Sequence, residues 1–416
     1  MSFFPTTQIE FTDSASVDAF NRLRVSSPRT LLESKLIGDD DPLRWDDGTL
    51  SGSTPASVYS VNGSYTDIKV SATTTGTHAR QTRERAVYHP GKSQMIYMTF
   101  VLNAAASGIT RRVGYFDGNN GLFLEQVATG LRFVTRSNVT GSPVDTATAS
   151  ASWNVDKFDG TGPSGKTLDP TKGQILFIDF EWLSVGRVRW GFVIDGKIYI
   201  GHEDKWANNI AVPYMGVPNL PCRYEIANDG TGAASEMRCI CASVSTEGGT
   251  IATGEEHGAQ TSALRTITTA EPYPLVSVRK RVGFDGVEFI PDSVSIIVSA
   301  AIDYRWGIYL LKSGNGLKAS GGGSFNWTAI QDSAIEADLA NSGSPIIDPA
   351  DTDVILLHGG VASSTNNDSG IQNISSVPVS LGTDVLGNKD VICLAVYPYT
   401  ASSRNFGAGL NWSEIR

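Results

Sequence analysis

Residues 174–202 constrain the fold of this chain most strongly, because apolar and polar side chains alternate along them. Successive side chains of a β-strand point to opposite faces, so a period of two predicts strands rather than helices. Two successive strands each carry an apolar face, formed by Leu176, Ile178, Phe180 and Trp182 on the first and by Val188, Trp190, Phe192 and Ile194 on the second. These apolar faces are expected to pack against another sheet.

Two glycine-containing turns are predicted to join three strands in this stretch. Residues 184–186, Ser-Val-Gly, fit a three-residue hairpin loop with glycine where a left-handed backbone is needed. This register places Glu181 opposite Arg189 as a cross-strand charge pair. Asp195-Gly196 fits a two-residue turn that leads into a third strand.

Short apolar strands separated by turn residues recur along the rest of the chain, which contains 43 glycines. The pattern predicts an all-β fold, with an antiparallel β-sandwich or jelly-roll body over residues 36–248 and a second, smaller β-sandwich domain over residues 273–416. Residues 1–35 are predicted to be an extended N-terminal arm that lies on the body or on a neighbour. Residues 249–272 are polar with weak periodicity and are interpreted as a linker. Residues 329–339 fit a short helix.

Residues 160–167 match the phosphate-loop pattern G-x-x-x-x-G-K-[ST] at every position. In a nucleotide-binding loop a buried strand precedes the motif, and a helix that follows holds the phosphates at its N-terminus. Residues 153–159 are too polar for such a strand, and Pro170 and Gly173 interrupt any following helix. The sequence therefore favours a glycine-rich loop between strands, and no cofactor is predicted.

Charge and composition exclude several classes of partner. The net charge of −10 argues against a nucleic-acid partner, because contacts to phosphates need a basic surface. The sequence has no apolar run of about 18 residues, so membrane insertion is not predicted. The N-terminus has no basic start followed by an apolar core, so no signal peptide is predicted. The four cysteines form no C-x-x-C pair, which favours buried free thiols over a zinc site: Cys222, Cys239, Cys241 and Cys393.

Candidate catalytic residues are few. The five histidines lie in no metal-binding or nucleophile motif. Asp179 and Glu181 share one strand face, and paired carboxylates of this kind can hydrolyse a glycosidic bond. The arginines on the next strand give the same carboxylates a structural role. We therefore predict that the protein is not an enzyme, and a polysaccharide depolymerase that uses Glu181 remains an alternative.

Residues 18–26, Asp-Ala-Phe-Asn-Arg-Leu-Arg-Val-Ser, resemble an N-terminal signature of virion structural proteins of tailed bacteriophages. Four further segments resemble the same family: residues 90–94, 112–117, 158–169 and 218–225. The resemblance implies a non-catalytic component of the virion exterior, either a capsid decoration protein or a tail-fibre or baseplate-associated protein. It also implies assembly in the host cytoplasm and contacts with other virion proteins. Association with further copies of itself, most simply as a homotrimer, is expected as well.

Two sets of residues are candidate contact sites. The arm is expected to contact other subunits and to add affinity for the virion more than stability to the monomer, through Asp18, Phe20, Arg22, Leu23, Arg24 and Val25. An alternative function is a receptor-binding module in which the second domain binds a host surface glycan. In that case sugar rings would stack on aromatic side chains, for which the candidates are Trp306, Trp327, Tyr397 and Tyr399.

Overall fold

The structure, a computed structural model, describes residues 17–248, 254–319, 323–339, 345–364, 369–374 and 381–416. These residues divide into two compact units. Unit 1 contains the described residues up to Thr82 and those from Tyr88 to residue 248. Unit 2 contains Arg83–Val87 and the described residues from 254 onward. Among the described residues, no helix has the length and the apolar character needed to cross a membrane.

Unit 1 consists of strands joined by turns, with one short 3-10 helix at Ser150–Ser152. Its strands are β1 (Arg29–Ser34), β2 (Trp45–Gly52), β3 (Val58–Ser60), β4 (Tyr65–Val70), β5 (Gly76–Thr82), β6 (Gln94–Val101), β7 (Ile109–Phe116), β8 (Gly121–Val127), β9 (Gly130–Ser137), β10 (Val144–Ala149), β11 (Gln174–Phe180), β12 (Arg187–Ile194), β13 (Lys197–Lys205), β14 (Cys222–Asn228) and β15 (Ser235–Thr246).

The strands of unit 1 form two antiparallel sheets that pack face to face. One sheet has the order β13-β12-β11-β6-β15-β4-β3, with β1 also paired to β15, and the other has the order β10-β9-β8-β7-β14-β5-β2. Phe133 of β9 stacks on Trp190 of β12 with ring centroids 5.0 Å apart. Tyr115 of β7 contacts Phe180 of β11 at 5.8 Å. Aromatic side chains from both sheets therefore fill one core, and the predicted β-sandwich is confirmed.

The strands predicted over residues 174–202 form as β11, β12 and β13. The buried members of the two predicted apolar faces are Leu176, Ile178, Phe180, Val188, Trp190 and Phe192, while Trp182 and Ile194 are half-buried. Ile194 pairs with Lys197, so Asp195-Gly196 is a two-residue turn, with φ of 51° and 74° at its two positions. Positive φ at both positions suits glycine and aspartate in a turn of this kind. The second predicted turn is therefore confirmed.

The predicted register between β11 and β12 is wrong by two residues. Asp179 rather than Glu181 lies opposite Arg189, and β11 ends at Phe180. The connecting loop is longer than three residues because the chain turns at Leu183 and Ser184, where φ is 33° and 66°. Since side chains alternate with a period of two, this shift leaves every side chain on its predicted face.

Unit 2 is the smaller sandwich. Its strands are β16 (Glu255–Gln260), β17 (Arg265–Ile267), β18 (Tyr273–Lys280), β19 (Glu288–Val298), β20 (Ile302–Leu311), β21 (Thr328–Ala329), β22 (Ile335–Asp338), β23 (Val354–Ser364), β24 (Ser369–Asn373), β25 (Val391–Pro398) and β26 (Arg404–Ile415). One sheet has the order β16-β26-β19-β24, with β17 also on β26, and the other has the order β21-β22-β18-β25-β20-β23. One apolar cluster joins both sheets and includes Phe289, Leu410, Ile308 and Leu394.

Two parts of unit 2 differ from the sequence-based expectation. The described part of the expected linker 249–272 carries β16 and β17, which pair with β26 and place Ala259 and Ile267 in the core. The short helix expected over residues 329–339 is wrong, because this segment contains the end of β21 and all of β22. Ile335 and Ala337 alternate into the core, and this period of two was missed in so short a segment.

Candidate functional site

The N-terminal segment 17–26 lies on unit 1 and is continuous with it. Val17 and Asp18 are buried, and β1 follows as a paired strand on β15. The segment covers β11 and β12 on the face opposite to the sandwich core, where Asp179 and Arg189 are both fully buried. The described part of the expected arm is therefore an integral part of unit 1, while residues 1–16 lie outside the described residues.

Asp179 is the centre of a buried charge network. Its carboxylate accepts hydrogen bonds from Arg189, from Ser93 Oγ and, at 2.8 Å, from Arg24 Nη2. Arg24 also pairs with Glu247 at the end of unit 1. Arg189 in turn donates to the carbonyl oxygen of Val17 at 2.6 Å. Because every charge here has an opposite partner, burial of these side chains is tolerated.

Further contacts attach the same segment to two neighbouring elements. Arg22 pairs with Asp18 and donates from Nη2 to the carbonyl oxygen of Gly91 at 3.1 Å. Arg187 Nε donates to the carbonyl oxygen of Ala19 at 3.0 Å. The carbonyl oxygens of Val17 and Ala19 are in reach of Arg189 and Arg187 only when residues 17–26 follow this path, so the network and the path of the chain depend on each other.

The six predicted arm residues therefore have different surroundings. Asp18 and Arg24 are held in the network, and the Arg22 guanidinium lies over the Phe20 ring at 4.5 Å. Leu23 and Val25 remain exposed, with 43% and 87% of their surface accessible. Val25 is the most exposed apolar side chain of the six, and the Arg22 side chain is 54% exposed as well, so these residues are available for contact with another molecule.

The carboxylate pair considered for glycoside hydrolysis does not form a reaction site. Asp179 is fully buried and saturated by ion pairs, so it cannot reach a substrate. Glu181 Oε1 accepts a hydrogen bond from the backbone N–H of Arg187 at 3.1 Å, and burial raises the pKa of Glu181. Its carboxylate serves the loop between β11 and β12, which is a structural role.

The glycine-rich segment 160–167 is a loop that folds back on itself. Gly160 N–H donates to the Lys166 carbonyl at 3.0 Å, and Ser164 N–H donates to Asp156 Oδ2 at 2.7 Å. Lys166 Nζ pairs with Asp195 Oδ2 at 2.7 Å. No helix follows the motif, so the elements that hold phosphates in a nucleotide site are missing from this part of the chain.

The cysteines do not form a metal site. Cys222, Cys239 and Cys393 are buried, and burial raises the pKa of Cys222 and of Cys393 to about 12. Within the described ranges, no group of three or more histidine, cysteine or acidic side chains is placed to hold a metal ion.

A second group of buried charges lies inside unit 2. Arg83 pairs with Asp390 at 2.9 Å, and Lys280 Nζ donates to the backbone carbonyl of Asp285 at 3.0 Å. Burial lowers the pKa of Lys280 to about 7, and the nearby cations Arg85 and Lys389 lower it further. The contacts tie Arg83–Val87 to the strands of unit 2, so we interpret the group as structural.

The predicted glycan-contact residues fall on both faces of one sheet of unit 2. Trp306 is only 7% exposed and belongs to the sandwich core, so a sugar cannot stack on it. Trp327 and Tyr397 are half-buried and pack against a smaller cluster on the opposite face, which includes Tyr309 and Cys393. Tyr399 is 51% exposed. Three of the four candidates are therefore available in part.

On this outer face, Tyr309, Tyr397, Tyr399 and Arg305 form a connected group, which we call the tyrosine face. Tyr397 lies directly opposite Arg305 on the neighbouring strand. The Arg305 guanidinium carbon is 4.3 Å from the centroid of the Tyr397 ring and 4.9 Å from that of Tyr399. Tyr309 O–H donates to the Tyr397 hydroxyl at 3.2 Å, and burial raises the pKa of Tyr309.

Several important residues were not singled out from the sequence. Ser93 and Glu247 are distant in sequence from Asp179 and Arg24, and no local pattern links them. Arg305 is charged, so a search for rings that could stack on a sugar does not select it. Its alternation with buried Tyr304 and Trp306 along β20 does place it on the outer face, and that signal was present.

No protein-family model and no curated protein sequence matches the chain. Solved structures similar to about half of it are β-sandwich proteins. A legume lectin-like domain from Entamoeba histolytica is 10% identical, with a TM-score of 0.31, and the match covers 53% of this chain and 98% of that one. A β-glucanase from Bacillus licheniformis is 10% identical, with a TM-score of 0.33, and the match covers 54% of this chain and 100% of that one. A glycosyl hydrolase family protein from Mycobacterium fortuitum is 10% identical, with a TM-score of 0.36, and the match covers 52% of this chain and 99% of that one. At these identities and TM-scores the similarity carries no argument about ligand or activity.

Proposed function

We propose that this chain is a non-catalytic structural component of the exterior of a tailed-phage virion, as a capsid decoration protein or a tail-fibre or baseplate-associated protein. The observation that carries the proposal is the set of contacts between the segments that resemble that family. Residues 18–26 and 90–94 meet around the buried Asp179 network. Because these polar residues hold the chain in place and leave no reacting group accessible, they favour a scaffolding role over a catalytic one.

A second pair of the same segments also meets in space. Residues 112–115 of β7 pair with residues 222–225 of β14, and Arg112 forms an ion pair with Glu225. Tyr115 O–H donates to the Pro218 carbonyl at 2.9 Å and accepts from the Leu220 N–H at 2.9 Å. This second group also supports an architectural role, in which the partners are other virion proteins and further copies of the chain, as a homotrimer.

We expect Val25→Glu to reduce incorporation into particles by about tenfold, which corresponds to about 1.4 kcal/mol of binding free energy. Val25 is an exposed apolar side chain on a firmly held segment, so a charge there removes a contact surface. The stability of the isolated protein should change by no more than about 0.5 kcal/mol. Immunoblots of purified head and tail fractions, after complementation of a deletion phage, measure incorporation.

Val282→Glu is the matched control, because Val282 is an equally exposed apolar residue in unit 2. It should be incorporated like the original chain if residues 17–26 carry the contact. Absence of the original protein from purified particles would refute the virion role itself. Normal incorporation of the Val25→Glu variant would refute only the contact surface assigned to Val25.

A second candidate function is recognition of a host surface glycan by the tyrosine face. The specific observation that favours it is the half-exposed Tyr399 ring next to Tyr397 on a rigid sheet. Aromatic rings held in this way offer apolar faces together with hydroxyl groups.

Tyr399→Ala should reduce retention of the full-length protein on host cells by about tenfold, which is the effect of losing about 1.4 kcal/mol. Ile297→Ala is the control, because Ile297 is an exposed apolar residue on the other sheet of unit 2. Equal retention of the two variants would argue against this second function.

A further inference from the structure

We infer that the tyrosine face binds a sugar that carries a carboxylate, and that Arg305 is the residue that pairs with this carboxylate. This inference rests on the second proposed function, glycan recognition by unit 2, and names the chemical class of its ligand. It depends on the surroundings of the Arg305 guanidinium, and on how they differ from the surroundings of the Arg279 guanidinium in the same sheet.

Arg305 has aromatic neighbours, but no acceptor for it is found in the part of the chain that the structure describes. Its guanidinium lies over the rings of Tyr397 and Tyr399. Among the described residues it forms no hydrogen bond and no ion pair, and its Nε is buried without a partner. A buried donor that lacks an acceptor is unfavourable, and such groups are rare in folded proteins. Arg305 as a whole is only half-buried, so a ligand oxygen can approach the side chain from solvent and supply an acceptor.

Arg279 has both an aromatic neighbour and a carboxylate partner. Its guanidinium lies 4.3 Å from the centroid of the Trp327 ring, and its Nε donates to Glu336 Oε1 at 2.6 Å. Both arginines point to the outer side of the same sheet and both stack on aromatic rings. The difference is that Arg279 has a carboxylate from the protein, whereas no described residue supplies one to Arg305. The missing group at Arg305 is therefore a carboxylate, or an anion of the same shape.

The tyrosine rings specify the rest of the ligand. A guanidinium group presents its N–H donors in a plane that matches a carboxylate, and stacking on tyrosine holds that plane fixed. The exposed Tyr399 ring adds an apolar surface beside this fork, which suits a pyranose ring that bears the carboxylate. The chain as a whole has a net charge of −10, so a polyanion without this shape should be repelled.

Asp303 limits the affinity of this site. It lies two residues before Arg305 on β20 and therefore on the same face, and it is exposed. Its negative charge weakens attraction for an anionic ligand. Asp303→Asn should therefore bind the acidic sugar about two- to threefold more tightly, and this change is a gain that damage to the fold cannot produce.

The test is calorimetric or interferometric titration of the full-length protein with three tetrasaccharides of uronic acids: galacturonate, mannuronate and glucuronate. The methyl ester of each, which keeps the rings and removes the charge, is titrated in parallel, together with maltotetraose and poly-L-glutamate. We expect at least one uronate to bind, and its methyl ester to bind about tenfold more weakly or worse. Arg305→Met should weaken binding of that uronate by about 10- to 100-fold. Arg279→Met, the matched control, should leave it within about twofold.

The outcomes separate this inference from the function on which it rests. Equal binding of a uronate and its methyl ester, or no effect of Arg305→Met, would overturn the inference and leave glycan recognition standing. Binding of maltotetraose without binding of any uronate would likewise overturn the inference and leave glycan recognition standing. Binding of poly-L-glutamate as tightly as of the uronates would show non-specific attraction and would overturn it as well. If no saccharide binds, the inference and the second function fail together.

Discussion

A chain that begins at residue 36 will fail to form a stable unit 1. It lacks β1, which pairs with β15 from Arg29 to Ser34, and it lacks the buried side chains of Val17 and Leu32. It also lacks Arg24, and the carbonyl oxygen that Arg189 uses. Loss of buried apolar groups and of one partner in a buried ion network each typically costs about 2–5 kcal/mol. The sum reaches the whole stability of an ordinary domain, about 5–15 kcal/mol.

Limited proteolysis with mass spectrometry is the suitable measurement, because two units need not unfold in one transition. Cleavage should spread through residues 36–248 of the truncated chain, while the described strands of unit 2 stay protected. A chain that begins at Val17 is the control, since it keeps every contact described for the N-terminal segment. Protection of unit 1 in the shorter chain would show that residues 17–35 are only an attached arm, as the sequence alone suggested.

The sequence predicted the fold class because alternation with a period of two is a local signal. It identified both faces of β11 and β12 and the turn at Asp195-Gly196. It did not predict the path of residues 17–26, because the acceptors of this segment, Gly91 and Asp179, are distant in sequence. It also misassigned the partner of Arg189, because the length of a loop depends on backbone angles such as those at Leu183 and Ser184.

The tyrosine face could be predicted only in part, for a related reason. Aromatic residues in a strand sequence indicate burial or binding equally well, and the side of the sheet decides between them. Trp306 and Arg305 are neighbours in sequence, yet one lies in the core and the other on the outer face. The absence of an acidic partner for Arg305 among the described residues depends on the whole arrangement of strands, and no sequence pattern indicates it.

Asp179→Asn should lower the free energy of unfolding by about 3–5 kcal/mol, although the two side chains have nearly the same shape. The substitution removes the carboxylate charge that faces the fully buried Arg189 guanidinium, and breaking a buried ion pair is strongly destabilising. Arg24 keeps its second partner, Glu247, so most of the loss falls on the ion pair with Arg189. Urea unfolding followed by tryptophan fluorescence reports this change, since Trp190 follows Arg189 in β12 and is fully buried in the sandwich core.

Two further variants show whether charge is the cause. Asp195→Asn removes an exposed carboxylate that is paired with Lys166, and it should change the free energy of unfolding far less than Asp179→Asn does, because solvent screens an exposed pair. Arg189→Met combined with Asp179→Asn removes the buried cation together with the carboxylate, so the double variant should be more stable than Asp179→Asn alone. A double variant that is less stable than either single one would show that packing of the arginine, rather than its charge, holds this face together.

A loss below about 1 kcal/mol for Asp179→Asn would mean that water or a movement of residues 17–26 relieves the buried charge. In that case the N-terminal segment is less firmly attached than its contacts indicate, and the stability expected to be lost in the chain that begins at residue 36 must come from β1 instead.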